Sequence, residues 1–223
     1  HKEYRRQRQM CIRDRRHGVA IHEQCSVERL RPDGGLEVGG GGDRRGECLR
    51  FDWVVNACGP WAEQLLLQSG LDSPVQLDLV RGSHLLIPPP SGLALPAEGL
   101  FVEVPSSRRI AFLLPYLGQL LVGTTEHHQP PQDLITTSQA EQEELLALVE
   151  RYLPAWSSSA RDHGRWIAGL RPLVRSHANV SAATREAEIR RCGRLIIVYG
   201  GKWTTARALA TRLLESAPFN GQP

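Results

Sequence analysis

No apolar run in the 223 residues approaches the roughly 18 that a membrane span requires, and no signal-peptide core follows the basic N-terminal stretch. The five cysteines (Cys11, Cys25, Cys48, Cys58 and Cys192) are odd in number, form no CxxC pair and join no His cluster with metal-ligand spacing. This argues against a disulfide framework and a structural zinc site, and fits a reduced, cytosolic setting without metal. No nucleophile–His–acid pattern and no close carboxylate pair on an apolar element argues for hydrolysis. Met10 is the only methionine and the chain opens on His1, so no natural start is visible unless translation begins at Met10. No internal repeat is evident.

Charge of one sign is also scarce once its location is considered. The formal charge is +3, but residues 1–18 hold seven Lys/Arg against Glu3 and Asp14, leaving 20 basic and 22 acidic residues elsewhere. The excess belongs to a short Arg/Gln-rich leader without helical or strand periodicity, read as disordered or foreign to the fold. A nucleic-acid footprint spread over a folded face is therefore not expected. Hydrophobic content of 41% and charged content of 23% are those of an ordinary globular protein. The length allows one large or two small domains with a sizeable core.

What is present reads as mixed strands and helices. Residues 18–21 and 25–30 are short, partly apolar strands, and Gly39 to Gly42 mark a hairpin tip. Those four glycines fit no GxGxxG register and are followed by Arg44 and Arg45 rather than by a helix. Residues 51–57 (FDWVVNA) predict a buried strand stopped by Cys58-Gly59-Pro60, with a helix over 61–68 and Pro60 in its first turn. Residues 75–87 alternate like strands on either side of a turn-like Arg81-Gly82-Ser83. Residues 109–116 and 120–124 predict a β-hairpin around Leu117-Gly118-Gln119. Ser138 and Glu141 form a capping-box pattern that opens a helix striped with Leu145, Leu146, Leu148, Val149 and Leu153, ended by Pro154. Finally, the apolar strand 195–199 runs through Gly200-Gly201 into an amphipathic helix over 204–216.

That last strand–glycine–helix segment is the most informative locally. A helix start after glycines leaves backbone N–H groups and the positive end of the helix dipole facing outward. Lys202 adds a full charge, so the pattern suits an anionic ligand, or else an ordinary turn with a solvated lysine. It is not a Walker A loop, because Trp203 follows Lys202. Arg171, in AGLRPL (168–173), has only apolar or breaker neighbours, and Arg185 follows residues 181–184. A half-buried guanidinium needs a partner, either a carboxylate of the fold or a phosphate bound bidentately. His84 follows the turn-like segment and starts an apolar strand, where a lone histidine is structural or catalytic.

Five segments together resemble the family of FAD-dependent glycerol-3-phosphate dehydrogenases. They are VVNACGPW (54–61), RGSHLLIP (81–88), RIAFLLPYLGQLLVGTTE (109–126), AGLRPL (168–173), and ATRE (183–186) followed by VYGGKWTTAR (198–207). The first alone resembles only the wider family of flavin amine and hydroxyacid oxidoreductases. The others in this order are narrower. The resemblance implies a fold of α/β and α+β character, with a partial Rossmann-like FAD-binding domain and a β-sheet substrate domain. Residues 18–73 and 190–216 would be cofactor domain, 74–189 substrate domain, 1–17 the leader and 217–223 a tail.

It further implies oxidation of sn-glycerol 3-phosphate to dihydroxyacetone phosphate, with hydride passing from C2 to FAD and electrons onward to quinone. Carried over position by position, Arg171 and Arg185 would bind the substrate phosphate. His84 would be the base or hydrogen-bond partner of the substrate hydroxyl. Lys202 would stand between substrate and flavin, as both a catalytic and a binding residue. Gly200, Gly201, Lys202, Trp203 and Thr204 would face the flavin, and Ala57 and Gly59 its nucleotide half. A cytoplasmic protein with a peripheral membrane contact, and a homodimer, are compatible with the resemblance.

The sequence departs from the family at Cys58, where Thr is usual, and the change in size is small. More seriously, the 223 residues contain no strand–GxGxxG–helix to grip the FAD pyrophosphate. The expectation is a fragment with weak FAD retention. Alternatives are another FAD-dependent amine or amino-acid oxidoreductase, which the three cations Arg171, Arg185 and Lys202 disfavour, and a non-catalytic remnant module.

Overall fold

The computed structural model describes residues 11–40, 44–105, 107, 109–175 and 187–216. Arg185 and the ATRE segment lie outside the described residues, as do residues 1–10, the loop tip 41–43 and the tail 217–223. The chain divides into two compact units, one of Val80–Leu170 with His1–Ala20, the other of Ile21–Leu79 with Arg171–Pro223.

The first unit is a helix-covered antiparallel sheet. Strand β5 (Leu77–Ile87) begins in the other unit and continues into this one, where β6 (Leu100–Glu103), β7 (Ile110–Tyr116), β8 (Gln119–Gly123), β9 (His127–His128) and β10 (Arg165–Val174) join it. The order is β10-β5-β8-β7-β6, with β9 also pairing β5. One face buries Leu85, Ile87, Val102, Ala111, Leu113, Leu120 and Val122 against Leu145, Leu148 and Val149 of α2 (Gln139–Tyr152) and Ala160 of α3 (Ser157–His163). The inward residues alternate along each strand, the period-2 signature of a sheet with one covered face. The predicted hairpin forms with a two-residue turn, Leu117 and Gly118 both at positive φ (51° and 79°), closing Tyr116 onto Gln119. That is the type I′ geometry whose twist matches paired strands. The capping box at Ser138 and Glu141 also forms.

The second unit holds two small sheets. An antiparallel meander runs β1 (Ser26–Leu30), β2 (Gly35–Gly39) and β3 (Cys48–Arg50). The other sheet has the order β11-β12-β4, where β4 is Val54–Asn56, β11 is Glu188–Cys192 and β12 is Leu195–Tyr199. β11 runs antiparallel to β12, whereas β4 and β12 are parallel. Helix α1 (Ala62–Gln68) packs on β1 and β12 through buried Leu65 and Leu66. Ser69 fastens the helix end to the meander, its Oγ accepting from Leu30 N at 2.8 Å and donating to Leu65 O at 2.6 Å. Helix α4 (Ala206–Ser216) follows β12 and buries none of its residues.

Three local expectations differ from the structure. Residues 18–21 are not a strand, and 11–16 are helical, with His17 N reaching Arg13 O. The predicted strand over 51–57 is confined to Val54–Asn56. The turn read at Arg81-Gly82-Ser83 is instead the middle of the unbroken 11-residue β5. Distant partners override the breakers: Arg81 pairs with His127 and His84 with Gly123, while Ser83 N donates to Thr125 Oγ1 at 2.8 Å.

Candidate functional site

In the second unit, parallel pairing decides where the motif residues go. Val54 lies beside Leu195 and Asn56 beside Ile197, so both strands leave the sheet at the same edge. The turn after β4 carries Ala57 and Gly59, and the turn after β12 carries Gly200 to Thr204. Two segments more than 140 positions apart in sequence thereby share the carboxyl edge of adjacent parallel strands, the edge at which open α/β sheets bind their ligands.

Each turn has its own support. Asn56 is buried; its Nδ2 donates to Ala62 O at 2.9 Å and its Oδ1 accepts from Cys58 N at 3.2 Å. The asparagine of VVNACGPW thus ties strand to helix and is not a ligand candidate. Pro60 sits in the 3-10 turn Gly59–Trp61 that leads into α1. Across the sheet, Tyr199 is fully buried, its hydroxyl 2.9 Å from Ser73 Oγ, which fixes the end of β12. Gly200 and Gly201 then take consecutive positive φ values of 68° and 93°, a pair that any side chain would strain. Gly201 also lies close to the helix it precedes, since a Cβ there would meet Leu209 Cδ2 at 3.2 Å. Lys202, extended and exposed, begins the 3-10 turn Trp203–Thr205, and Trp203 is 68% exposed. The edge therefore presents bare glycine backbone, an exposed ammonium and an indole. That combination suits a planar, anionic group.

Arg171 lies in β10 and is half-buried, as its apolar neighbours led us to expect.

His84 belongs to the first unit, half-buried on β5 opposite Gly123 of β8. A Cβ built on Gly123 would lie 2.4 Å from His84 Cδ2 and 2.8 Å from Cγ. The imidazole therefore occupies the space that a larger residue at 123 would fill, which gives the glycine of GTTE a physical reason.

Immediately behind His84 is a buried ion that sequence reasoning missed. Glu141 is fully buried. Its Oε1 accepts from Ser83 Oγ at 2.9 Å and Thr125 Oγ1 at 2.7 Å, and its Oε2 from Ser138 N at 2.9 Å and Ser138 Oγ at 2.8 Å. Arg81 Nη2 stands 2.6 Å from the same Oε2, and Arg81 Nη1 donates to Gln129 Oε1 at 2.7 Å. Burial pushes the Glu141 carboxyl up, but the bonds from Thr125, Ser138 and Arg81 outweigh it and hold the group down at about 2. The sequence signals were the capping box, RGSH and GTTE; nothing local showed that they meet. Nearby, the Arg109 guanidinium bonds Thr124 O and the Glu144 carboxylate. Among the described residues no group of three His, Cys, Asp or Glu is placed to hold a metal.

The chain belongs to the FAD dependent oxidoreductase family, whose model matches residues 9–215. Within that family it is similar to a glycerol-3-phosphate dehydrogenase of Pseudomonas tolaasii, 32% identical over 185 residues that make up 77% of this chain and 34% of the relative. The aerobic glycerol-3-phosphate dehydrogenase of Escherichia coli is 28% identical over 182 residues, 74% of this chain and 35% of the relative. The fold is shared with the FAD-complexed glycerol-3-phosphate dehydrogenase of Bacillus halodurans, at a TM-score of 0.69 and 23% identity over 86% of this chain and 38% of that one. The chain thus spans about a third of the length of the curated relatives it matches.

Proposed function

We propose that this chain supplies the substrate sheet and part of the cofactor-binding unit of an FAD-dependent enzyme that oxidises sn-glycerol 3-phosphate to dihydroxyacetone phosphate. The observation that carries the reading is the shared edge of β4 and β12, where VVNACGPW and VYGGKWTTAR end side by side. The names of the curated relatives narrow the substrate to glycerol 3-phosphate. The flavin-side turns and Arg171 fall in the unit built from Ile21–Leu79 and Arg171–Pro223, and His84 in that of Val80–Leu170.

FAD fits the residues at that edge: Gly200 and Gly201 give it bare backbone, Gly59 has no atom within 4 Å of where a Cβ would stand, and Trp203 is an open planar surface. When bound, FAD supplies a two-electron acceptor. Lys202 would place positive charge beside the ring, with the N–H groups up to Thr204 adding dipoles of the same sign, and Ala57 and Gly59 would take the nucleotide half. Arg171 and Arg185 hold the phosphate dianion. His84 accepts the hydroxyl proton, held at a fixed height over Gly123. Quinone is the onward electron acceptor in this reading, reached by peripheral contact of a cytoplasmic protein with the membrane. Among the described residues no helix is long and apolar enough to cross one.

The test is anaerobic mixing of the protein, held in saturating FAD, with sn-glycerol 3-phosphate and, separately, with glycine. Bleaching of the flavin by the phosphoester, abolished in Arg171→Ala, is the expected result. Bleaching by the amine alone would replace this reading with an amine oxidoreductase.

A further inference from the structure

Two of the segments that carry the family likeness converge on a residue that neither of them contains. RGSH contributes Arg81 and Ser83, GTTE contributes Thr125, and both close on Glu141 of α2. Ser83 immediately precedes His84. Thr125 lies two residues beyond Gly123, against which the His84 imidazole packs. We propose that Glu141 is a positioning residue for His84, acting through Ser83 and Thr125. The proposal rests on the reading of His84 as the group that meets the substrate hydroxyl.

The geometry gives the reason. His84 and Gly123 are cross-strand partners, so the imidazole's height and tilt depend on the spacing of β5 and β8 at that point. Beyond Gly123 the regular pairing of β8 stops, and the chain is joined to β5 there by one backbone bond and by side chains. Ser83 N donates to Thr125 Oγ1 at 2.8 Å and Thr125 N to Ser83 O at 3.3 Å, while both hydroxyls donate to the single oxygen Oε1 of Glu141. One carboxylate oxygen with two donors fixes the separation of the residues carrying them. The other oxygen is held by Ser138 and Arg81, so the clamp has little freedom to slide. A cluster that only capped α2 would need Ser138 and not Ser83 or Thr125.

The test is built on Thr125, because Glu141→Gln leaves Arg81 without its counter-charge and threatens folding. Thr125→Val keeps the volume and removes both hydroxyl roles; Thr125→Ser keeps the hydroxyl. The readout is the His84 ring resonances in proton–carbon spectra of the full chain, assigned with His84→Gln, with His22 and His163 as internal references. The expected result is a displaced or split His84 signal in Thr125→Val, restored in Thr125→Ser, with the references in place. An unmoved His84 signal in a folded Thr125→Val protein overturns the proposal and leaves the cluster a helix cap. A separate titration with FAD and sn-glycerol 3-phosphate examines the underlying reading. If Thr125→Val displaces His84 but the phosphoester never perturbs it in the unaltered protein, the clamp stands and the substrate role of His84 falls.

Discussion

The carboxylate of Glu141 is shut away from water and still ionised, because five polar contacts replace its hydration. Its pKa falls from 4.5 to about 2 on folding. A carboxyl depressed in the folded state contributes stability that is fully present above 4.5 and is lost as pH falls through 2. The shift corresponds to a contribution on the order of 3 kcal/mol. Glu141→Gln is therefore expected to unfold at lower urea than the parent above pH 4.5, and the gap is expected to narrow steadily towards pH 2. A gap that stays constant over that interval would mean that Glu141 carries its proton in the native state. In the sequence, Glu141 appears only as the third residue of a capping box, since Ser83 is 58 positions away and Arg81 farther. A short motif can declare a local partner; it cannot declare a second one on another strand.

Elements whose reason is local were legible, and the β7–β8 hairpin is the clearest case. The turn needs positive φ at two adjacent residues, and the sequence offers Gly118 but places Leu117 at φ 51°. Leu117 is 44% exposed. Asn tolerates this conformation far better, so Leu117→Asn is expected to stabilise the protein by about 0.5–1 kcal/mol, seen as a higher melting temperature without a changed spectrum. A lower melting temperature would show that the leucine side chain packs usefully. The helix from Ser138 and the β12–glycine–helix segment were readable for the same reason: cap, periodicity and breaker lie within a few residues of one another. β10 was not, because Gly169 and Pro172 interrupt it and the alternation of its first six residues is only between exposed and half-buried positions. The unbroken β5 was misread because its pairing with β8 and β9 defeats the Gly-Ser signal. The site followed the same division. Gly200 to Thr204 were visible as a pattern, whereas their neighbourhood with Ala57 and Gly59 depends on the parallel pairing of two short strands.

At the scale of the whole chain, both units bury a core, and what sets the second apart is its last helix. The sheet of Val80–Leu170 is covered by α2 and α3, with Leu85, Ile87, Leu113, Leu120 and Leu145 fully buried. In the other unit α4 buries nothing, and Phe51, Val55, Trp61, Leu67, Trp203 and Leu214 remain exposed. Short helices gain their stability from packing an apolar face rather than from propensity, and α4 is tied back by Arg212, whose guanidinium donates to Ala187 O, and by Leu209 against Gly201. The candidate flavin edge is therefore followed by a helix that buries none of its residues, and the 223 residues contain no GxGxxG to grip a pyrophosphate. The chain as given is expected to retain FAD poorly: saturated with the cofactor and then desalted, it should carry far less than one flavin per protein by absorbance. Gly201→Ala should lower that further, since it strains a φ of 93° and presses on Leu209. A stoichiometric yellow protein after desalting would refute the expectation. It would mean that the paired ends of β4 and β12 hold the isoalloxazine and its ribityl chain tightly enough without a phosphate grip, and that the exposed face of α4 is compatible with a stable cofactor site.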